Sequence, residues 1–238
     1  MKMNKSNCEK AEMLVEVLPY VNRFRDKIIV IKYGGNAMIN EELKKAVMQD
    51  LLLMKSVGMH PILVHGGGPA INDMLKKLKV ESHFEQGLRV TDKETMEIVE
   101  MVLAGKVNKD IVGTLNQLGG KGIGLSGKDG NLIQARKKYL EKNGEKIDIG
   151  YVGEVEEVNK EMLESLIYSG YIPIISSIGM GKDGMSYNIN ADYVAGAIAK
   201  AVQANKFILL TDVEGIFRDY HDKDSLISRI TLEEIEAL

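Results

Sequence analysis

Residues 61–72 read PILVHGGGPAIN, and this stretch decides the fold. The apolar run at 62–64 predicts a buried strand, and Pro69 favours the first turn of a helix. Three glycines, Gly66 to Gly68, separate the two elements. A backbone without side chains at that point indicates either a tight strand-to-helix connection or a place where a ligand touches the main chain.

The same order of strand, glycine turn and helix recurs along the chain. The strand IIVIKY at 28–33 runs into Gly34-Gly35, and Asn40 is a predicted N-cap for a helix through Ser56. Further segments of this kind are the strands at 171–177 and 207–211 and the helix at 191–202. Near-continuous apolar strands predict burial on both faces. The chain is therefore predicted to be α/β, with a mostly parallel central sheet sandwiched by helices on both faces.

The middle of the chain adds two helices and three strands. Thr91-Asp92-Lys93-Glu94 predicts a capping box with Thr91 as the N-cap of a helical stretch to about residue 118. Asn159 is a predicted N-cap for a helix that ends at Gly170. The predicted strands lie at 122–126, 131–136 and 149–155.

Composition narrows the class of protein. A chain of 238 residues suffices for one large α/β domain or two modest lobes. The formal net charge is −3 without a basic block, which disfavours nucleic-acid binding. The single cysteine, Cys8, leaves no disulfide framework and predicts a cytoplasmic protein. The apolar runs are too short to cross a bilayer, so no membrane partner is expected.

The segment 10–25, KAEMLVEVLPYVNRFR, predicts an amphipathic helix ahead of the first strand. Its apolar face consists of Leu14, Val17, Leu18, Val21 and Phe24. Pro19 predicts a kink in this helix. The apolar face packs either on the core of its own chain or on another subunit, and the pattern does not decide between them.

The segment GIGLSG at 122–127 matches a dinucleotide-binding fingerprint, but its context does not. Such a loop must open a helix, whose N-terminus holds the pyrophosphate. Here a turn and a predicted strand follow, so we reject this interpretation. The P-loop interpretation of the same segment is rejected because Asp129 stands where a Ser or Thr hydroxyl is needed.

Four predicted strands end in segments that suit an anionic ligand. Ligands of such sheets bind beyond the carboxyl ends of the strands. These ends carry Lys32-Tyr33-Gly34-Gly35, Gly66-Gly67-Gly68, the segment from Ser176 to Asp192, and Thr211-Asp212. Glycine turns that lead into helices offer backbone N–H groups to an anion. The alternative for each turn is a tight connection without a ligand.

Lys32 and Arg89 are the candidate cations. Lys32 ends an apolar strand beside Gly34-Gly35, where it neutralises a phosphate group or extends from the strand end into solvent. Arg89 lies in the loop GLRVT, where it is solvated or binds a substrate carboxylate with its planar fork. The two residues alone leave these alternatives open.

Taken in order, the segments resemble the amino acid kinase family. The similarity spreads over residues 28–217, and the combination of HGGGP, GLRVT and NINAD is its most specific part. The matching stretches are VIKYGGNAM, ILVHGGGPAI, GLRVTD, EMVLAGKVNKDIV, LSGKDGNLI, VGEV, IPIISSIG, YNINADYVAG and LLTDVEG. Within the family, the likeness is to members that act on N-acetyl-L-glutamate. It implies ATP-dependent phosphorylation of the side-chain carboxylate of that substrate, in arginine biosynthesis.

The resemblance implies a role for each candidate residue. The catalytic residues are Lys32, which stabilises the transferred phosphoryl group, and Asp192, which orients the lysine. The substrate-binding residues are Gly67, Gly68, Arg89 and Asn188. The nucleotide-binding residues are Gly34, Gly35, Thr211 and Asp212. Mg²⁺ is held mainly by the ATP phosphates, so no residue is named as a metal ligand.

The resemblance also implies an organisation in three segments. These are an N-terminal helical arm at 1–26, an amino-acid-substrate lobe at 27–178 and an incomplete nucleotide-binding lobe at 179–238. Family members carry a second phosphate-facing lysine in a later stretch similar to GGM-x-x-K, which this sequence lacks. The chain is therefore expected to be either a fragment or incompletely equipped for catalysis on its own. The implied partners are L-arginine as an effector and further copies of the chain, as a hexamer through the arm or as a dimer.

Two other functions stay open at this point. One is a different amino acid kinase, which acts on glutamate, carbamate, aspartate or a nucleoside monophosphate. The other is a non-catalytic subunit that binds acetylglutamate or arginine as a sensor. The combination of GLRVT and NINAD favours the acetylglutamate enzyme over both.

Overall fold

The computed structural model describes residues 6–38, 40–142, 144–219 and 221–235. The α-helices are α1 (Asn7–Phe24), α2 (Glu41–Ser56), α3 (Gly68–Leu78), α4 (Lys93–Glu100), α5 (Asn108–Gln117), α6 (Lys160–Tyr168), α7 (Ala191–Ala201) and α8 (Leu232–Ile235). The strands are β1 (Ile28–Tyr33), β2 (His60–His65), β3 (Phe84–Glu85), β4 (Leu88–Arg89), β5 (Gly122–Leu125), β6 (Ile133–Lys142), β7 (Glu145–Val158), β8 (Ile172–Ser176), β9 (Ile178–Gly181), β10 (Ser186–Asn188), β11 (Lys206–Leu209), β12 (Ile216–Phe217) and β13 (Leu226–Ile227).

The central sheet has five parallel strands in the order β11-β1-β2-β8-β5. Successive side chains of a strand point to opposite faces, so Ile31 and Leu63 pack against α2 and α5. Val30 and Ile62 pack on the other face, against α6 and α7. The predicted α/β sandwich is confirmed, because helices cover both faces of a parallel sheet.

A second, smaller sheet closes on itself beside the first. It joins β6, β7, β9 and β10 in a barrel in which β6 and β7 form a long antiparallel hairpin. The strands predicted at 131–136 and 149–155 are present but longer, as Ile133–Lys142 and Glu145–Val158. β10 runs from this barrel directly toward α7, and this short path brings Asn188 near Asp192.

A strand is present where one was predicted at 207–211, but the prediction that it is buried is wrong. The strand exists as β11, Lys206–Leu209, and pairs with β1 at the edge of the central sheet. Phe207 is 42% exposed and Leu209 is 50% exposed. The apolar run resembles a central strand, but in the structure its side chains have few neighbours because it lies at the edge.

The helix after Thr91 begins one residue later than predicted. Asp92 is the N-cap, and its carboxylate accepts a hydrogen bond from the backbone N–H of Thr95 at 2.8 Å. Thr91 is instead fully buried and donates its hydroxyl to the carbonyl of Arg89 at 2.8 Å. The helical stretch then runs to Gln117, but its middle, Met101–Val107, is a wide π-helical segment that the sequence did not predict.

The N-terminal helix α1 extends through Pro19 and has no buried residue. Its last residue, Phe24, packs on the core beneath β1, whereas Leu14 is 72% exposed. The helix is therefore anchored at its end, and most of its apolar face has no partner within the part of the chain that the structure describes. No helix among these residues is long and apolar enough to span a membrane. Residues 1–5 of the predicted arm lie outside the described residues.

The rejected dinucleotide and P-loop segment forms strand β5 and a tight turn. The Asp129 carboxylate accepts hydrogen bonds from the backbone N–H and the hydroxyl of Ser126, at 2.6 Å and 2.8 Å. A 3₁₀ turn and then β6 follow. The strand predicted after this loop is confirmed, and Asp129 closes the turn itself.

Candidate active site

An open cleft lies beyond the carboxyl ends of β1 and β2. Its volume is about 260 Å³, which is of the order expected for a small metabolite. Eight of the predicted site residues line it, and so does Gly66, the first glycine of the triplet. The eight are Lys32, Gly34, Gly35, Gly67, Gly68, Arg89, Asn188 and Asp192. The cleft thus brings together residues that are up to 160 positions apart in the sequence. This proximity follows from the parallel sheet, whose strand ends meet at one edge.

Lys32 and Asp192 form an ion pair in this cleft. The Lys32 Nζ lies 3.1 Å from Asp192 Oδ1, and the side chains are 16% and 53% exposed. The carboxylate stands in the first turn of α7, where the helix dipole favours a negative charge. The ammonium lies over Gly34, at 2.8 Å from the position a Cβ atom would occupy there. Glycine at 34 therefore leaves the space in which the lysine reaches Asp192.

The glycine triplet connects β2 to the N-terminus of α3. Pro69 stands in the first turn of that helix, as predicted. Gly66 donates its N–H to the carbonyl of Tyr33, which ties this turn to the end of β1. A Cβ atom at Gly67 would lie 2.5 Å from Leu103 Cδ2. Among the described residues, the Gly67 N–H donates to no protein acceptor, although Gly67 lines the cleft.

Arg89 is the buried cation of the cleft, at 7% exposure. Its guanidinium donates to Asn72 Oδ1 at 2.6 Å and to the hydroxyl of Ser82, and it stacks on Phe84 at 4.7 Å from the ring centroid. Burial lowers the pKa of Arg89 from its ordinary value. A guanidinium has five N–H donors, so donors remain for a carboxylate in the cleft. The solvated alternative for Arg89 is wrong.

Asn188 is the last residue of β10 and is connected to Arg89 through Thr91. Its side-chain N–H donates to Thr91 Oγ1 at 3.3 Å, and Thr91 in turn donates to the Arg89 carbonyl. Asn190, two residues later, is the N-cap of α7, and its side chain accepts from the Asp192 N–H at 2.8 Å. The NINAD segment therefore fixes both the amide in the cleft and the carboxylate that pairs with Lys32.

Thr211 and Asp212 lie at the end of β11 and do not line the cleft. The Asp212 carboxylate lies against Gly35, in the space where a Cβ atom at that glycine would stand. Gly35 has φ of +66°, a conformation that favours glycine. Of the predicted nucleotide-binding residues, Gly35 and Asp212 therefore lie together, and Thr211 precedes Asp212 just after the exposed strand β11.

Several residues of the site were not predicted from the sequence. Asn72, Ser82 and Phe84 hold the Arg89 guanidinium, and Leu103 packs against Gly67. Phe84 and Leu103 line the cleft. A single sequence carries no signal for them, because each acts through a contact that only the fold creates. Within the described residues, no group of three or more His, Cys, Asp or Glu side chains is arranged to hold a metal ion.

The chain is similar to known proteins over almost its whole length. The model of the amino acid kinase family matches residues 27–238. An acetylglutamate kinase of Caldicellulosiruptor bescii is 59% identical over 227 residues, which are 95% of this chain and 77% of that protein. An acetylglutamate kinase of Moorella thermoacetica is 57% identical over 240 residues, which are 99% of this chain and 81% of that protein.

The fold is also found among solved structures. The N-acetylglutamate synthase from Neisseria gonorrhoeae complexed with coenzyme A and N-acetyl-glutamate matches with a TM-score of 0.78 and 22% identity. The match covers 94% of this chain and 49% of that chain. A likeness at this identity supports the fold and carries no statement about activity.

Proposed function

The chain belongs to the amino acid kinase family, and we propose on that premise that it is an acetylglutamate kinase. It transfers the γ-phosphoryl group of ATP to the side-chain carboxylate of N-acetyl-L-glutamate and forms an acyl phosphate, in arginine biosynthesis. The observation that supports this most directly is the 59% identity to an acetylglutamate kinase. The cleft that holds Lys32, the glycine turns and Arg89 together agrees with it.

The amino-acid substrate lies on the side of the cleft that belongs to the segment 27–178. Arg89 pairs with a substrate carboxylate through its remaining N–H donors. Gly67 and Gly68 donate backbone N–H groups at the start of α3, where the helix dipole favours an anion. Asn188 adds an amide from the opposite wall. These groups bind a dicarboxylate without any side chain that must change its charge.

The reaction needs no general base. A carboxyl group of the glutamate type has a pKa of about 4.3, so the nucleophile is already ionised at neutral pH. The barrier arises because an anion must approach a polyanion. Phosphoryl transfer is therefore accelerated mainly by positioning and by positive charge near the transferred group.

Lys32 supplies that positive charge, and Asp192 is its positioning partner. The ion pair at 3.1 Å holds the ammonium at the rim between the two glycine turns. A lysine fixed before the reaction stabilises charge that develops in the transition state without reorganisation. Asp192 is half-exposed, so this pair contributes mainly to geometry and little to stability.

The nucleotide binds on the outer side, along the segment 179–238. Gly34 and Gly35 face the phosphates, Asp212 lies against Gly35, and Thr211 adds its hydroxyl from the segment after β11. ATP enters as its Mg²⁺ complex, with the metal held mainly by the phosphates. We assign to this lobe the same bounds as from the sequence, although the central sheet runs through both lobes because β11 pairs with β1.

The protein acts in the cytoplasm and as a homo-oligomer. The exposed apolar face of α1, with Leu14 and Leu18, is the surface through which copies associate as a hexamer, with a dimer as the simpler assembly. L-Arginine is the proposed effector. Sedimentation of the purified chain with and without residues 1–26 tests the role of this helix.

The activity is tested by following ADP release from Mg·ATP with N-acetyl-L-glutamate, L-glutamate, L-aspartate and carbamate as separate acceptors. We expect release only with N-acetyl-L-glutamate, together with a product that hydroxylamine converts to a hydroxamate, as an acyl phosphate requires. Turnover of another acceptor at a higher kcat/KM assigns a different kinase. Binding of acetylglutamate without ADP release favours a sensing subunit.

A further inference from the structure

A buried polar pair beneath the glycine turn takes no part in the cleft described above. His65 is the last residue of β2, and Asn108 is the first residue of α5; both are 0% exposed. The His65 Nε2 lies 3.0 Å from Asn108 Nδ2, and its Nδ1 lies 2.8 Å from the carbonyl oxygen of Gly66. Neither residue lines the cleft.

The partners of the two side chains define which nitrogen of His65 carries the proton. Asn108 Nδ2 also faces the carbonyl of Ile174 at 2.8 Å, so the Asn108 amide group donates there and to His65. Nε2 of His65 therefore accepts, and Nδ1 donates to Gly66. Burial lowers the pKa of His65 to about 4, against the hydrogen bond to Gly66 that raises it and together with the Lys109 charge that lowers it.

The hydrogen bond to Gly66 sets the direction of the next N–H. In a planar trans peptide, the carbonyl of one residue and the N–H of the next point in opposite directions, and no cis peptide bond occurs among the described residues. Because the Gly66 carbonyl is held toward the imidazole, the Gly67 N–H is directed away from it. That N–H has no protein acceptor in the described part of the chain.

The wide π-helical segment Met101–Val107 brings Asn108 to this position. In a π-helix, hydrogen bonds join residues five apart, so Leu103 and Asn108 lie on the same face. Leu103 packs against Gly67, and Asn108 meets His65 one residue before the turn. On the far side, a Cβ atom at Gly124 would overlap Asn108 Oδ1. The glycine of the rejected dinucleotide motif therefore provides the space for Asn108.

We propose that His65 and Asn108 are positioning residues, which aim the Gly67 N–H at the anionic group of the amino-acid substrate. Asn108 fixes the imidazole, the imidazole fixes the Gly66 carbonyl, and the peptide directs its N–H into the cleft. The inference rests on the proposed function, in which this turn binds acetylglutamate. Neither side chain touches the substrate.

The test measures kcat and both KM values for the full chain, four variants and one control variant. His65→Leu removes the donor to Gly66, Asn108→Ala removes the amide that fixes the imidazole, and Gly124→Ala displaces Asn108 from outside the cleft. Loss of a hydrogen bond to a charged group predicts a rise in the KM for acetylglutamate of about tenfold or more, with the KM for ATP within about twofold. His65→Asn retains an amide donor near the Nδ1 position and is expected to restore most of the affinity.

Leu163→Ala is the matched control for lost packing. Leu163 is fully buried in α6, on the opposite face of the central sheet, and contacts neither glycine turn. Thermal unfolding of every variant shows which are folded and how far each is destabilised. A nitrogen-15 spectrum of the histidines adds an independent readout, because the wild type is expected to show the neutral Nδ1–H form of His65.

The outcomes separate the positioning role from the proposed function. If the wild type does not phosphorylate acetylglutamate, the proposed function fails, whatever the variants do. If it does, and His65→Leu and Gly124→Ala keep the wild-type KM, the positioning role is rejected. It is also rejected if Leu163→Ala raises the same KM as much as they do, or if His65 is found as the Nε2–H form. The Gly124 variant decides the matter if Asn108→Ala does not fold.

Discussion

The two glycine turns of the cleft follow neighbouring strands, yet they are built differently. The Gly66–Gly68 turn packs on two buried polar residues, His65 and Asn108, which are fully buried and hydrogen-bonded to each other. The Gly34–Gly35 turn is held by charged side chains, the Lys32–Asp192 ion pair and the Asp212 carboxylate. Its neighbouring strand β11 is an exposed edge.

This difference matches the two ligands that we assign. A small dicarboxylate gains specificity from N–H groups fixed before it binds, and a buried network fixes them without reorganisation. A nucleotide carries its own charge and its own metal ion, so a more open side with charged groups suffices. We call the Gly66–Gly68 turn, with the buried His65, Asn108 and Arg89, the buried side. Changes on this side are expected to alter stability and the KM for acetylglutamate, and changes at Lys32 to alter kcat.

The largest expected effect concerns the buried side and is a pH dependence of stability. The pKa of His65 is lowered to about 4 in the folded chain, from about 6.5 when unfolded. Between these two pH values the unfolded chain binds one more proton than the folded chain. The free energy of unfolding therefore decreases as the pH falls from 6.5 to 4, and above pH 6.5 the neutral His65 has no cost in either state. The shift corresponds to about 3 kcal/mol.

Chemical unfolding at several pH values tests this against His65→Asn, which lacks the titrating group. Carboxylates whose pKa is lowered, such as Asp92 and Asp148, lose stability in acid in both proteins and cancel in the difference. The difference in unfolding free energy is expected to grow toward pH 6.5 and then level off. Parallel curves over the whole range contradict the neutral, buried state of His65.

On the charged side, Lys32→Ala is expected to lower kcat by about 10²-fold or more, the scale of one preorganised charge donor. The KM for acetylglutamate should change little, because Lys32 acts on the transferred phosphoryl group. Lys45→Ala, an exposed lysine on α2, is the control for a lost surface charge. Steady-state kinetics with saturating Mg·ATP measure both values. An unchanged kcat removes Lys32 from its proposed role.

Gly67→Ala tests how closely the buried side is packed. The new methyl group would lie 2.5 Å from Leu103 Cδ2, so the turn or Leu103 must move. The overpacking is expected to lower the free energy of unfolding by about 1–3 kcal/mol. Displacement of the Gly67 N–H is expected to lower kcat/KM for acetylglutamate by more than about tenfold, as for a lost hydrogen bond to a charged group. The double variant Gly67→Ala with Leu103→Ala makes room for the methyl group and is expected to recover part of the loss.

Gly113→Ala is the matched glycine control. It lies in α5 with no atom within 4 Å of its added Cβ atom, so the change should raise stability by about 0.5–1 kcal/mol and leave kcat/KM unaltered. If the double variant Gly67→Ala with Leu103→Ala recovers no kcat/KM, the loss arises from the backbone of the turn and not from the contact with Leu103.

The sequence predicted the five strands of the central sheet, the long hairpin of the barrel and the glycine turns because each leaves a local signal, whereas the short strands β3, β4, β9, β10, β12 and β13 were not predicted. Apolar runs marked β1, β2 and β8, and Asn40 marked the start of α2. The edge position of β11 left no such signal, because its composition is that of a buried strand and only the sheet order exposes it. The His65–Asn108 contact joins residues 43 positions apart, beyond any local pattern. The π-helical segment Met101–Val107 follows the same apolar spacing as an α-helix and left no separate signal.

The smallest expected effects come from two changes around Arg89, and the larger of the two, Arg89→Lys, shows whether the substrate site recognises shape as well as charge. The guanidinium is held by Asn72, Ser82 and Phe84 in one orientation. A lysine keeps the positive charge but loses the planar pair of N–H donors and the stacking on Phe84. The KM for acetylglutamate should therefore rise by about tenfold, while kcat stays within about twofold of the wild type.

Phe84→Leu is the companion variant, because it removes the ring beneath the guanidinium and leaves the arginine in place. A rise in KM smaller than that of Arg89→Lys is expected, since cation–π contacts at partly exposed sites contribute about 0.5–1 kcal/mol. Equal KM values for Arg89→Lys and wild type reject the assignment of Arg89 to the substrate carboxylate. The buried cation would then serve the β3–β4 hairpin alone, and the glycine turn would be the main anion site of the amino-acid side.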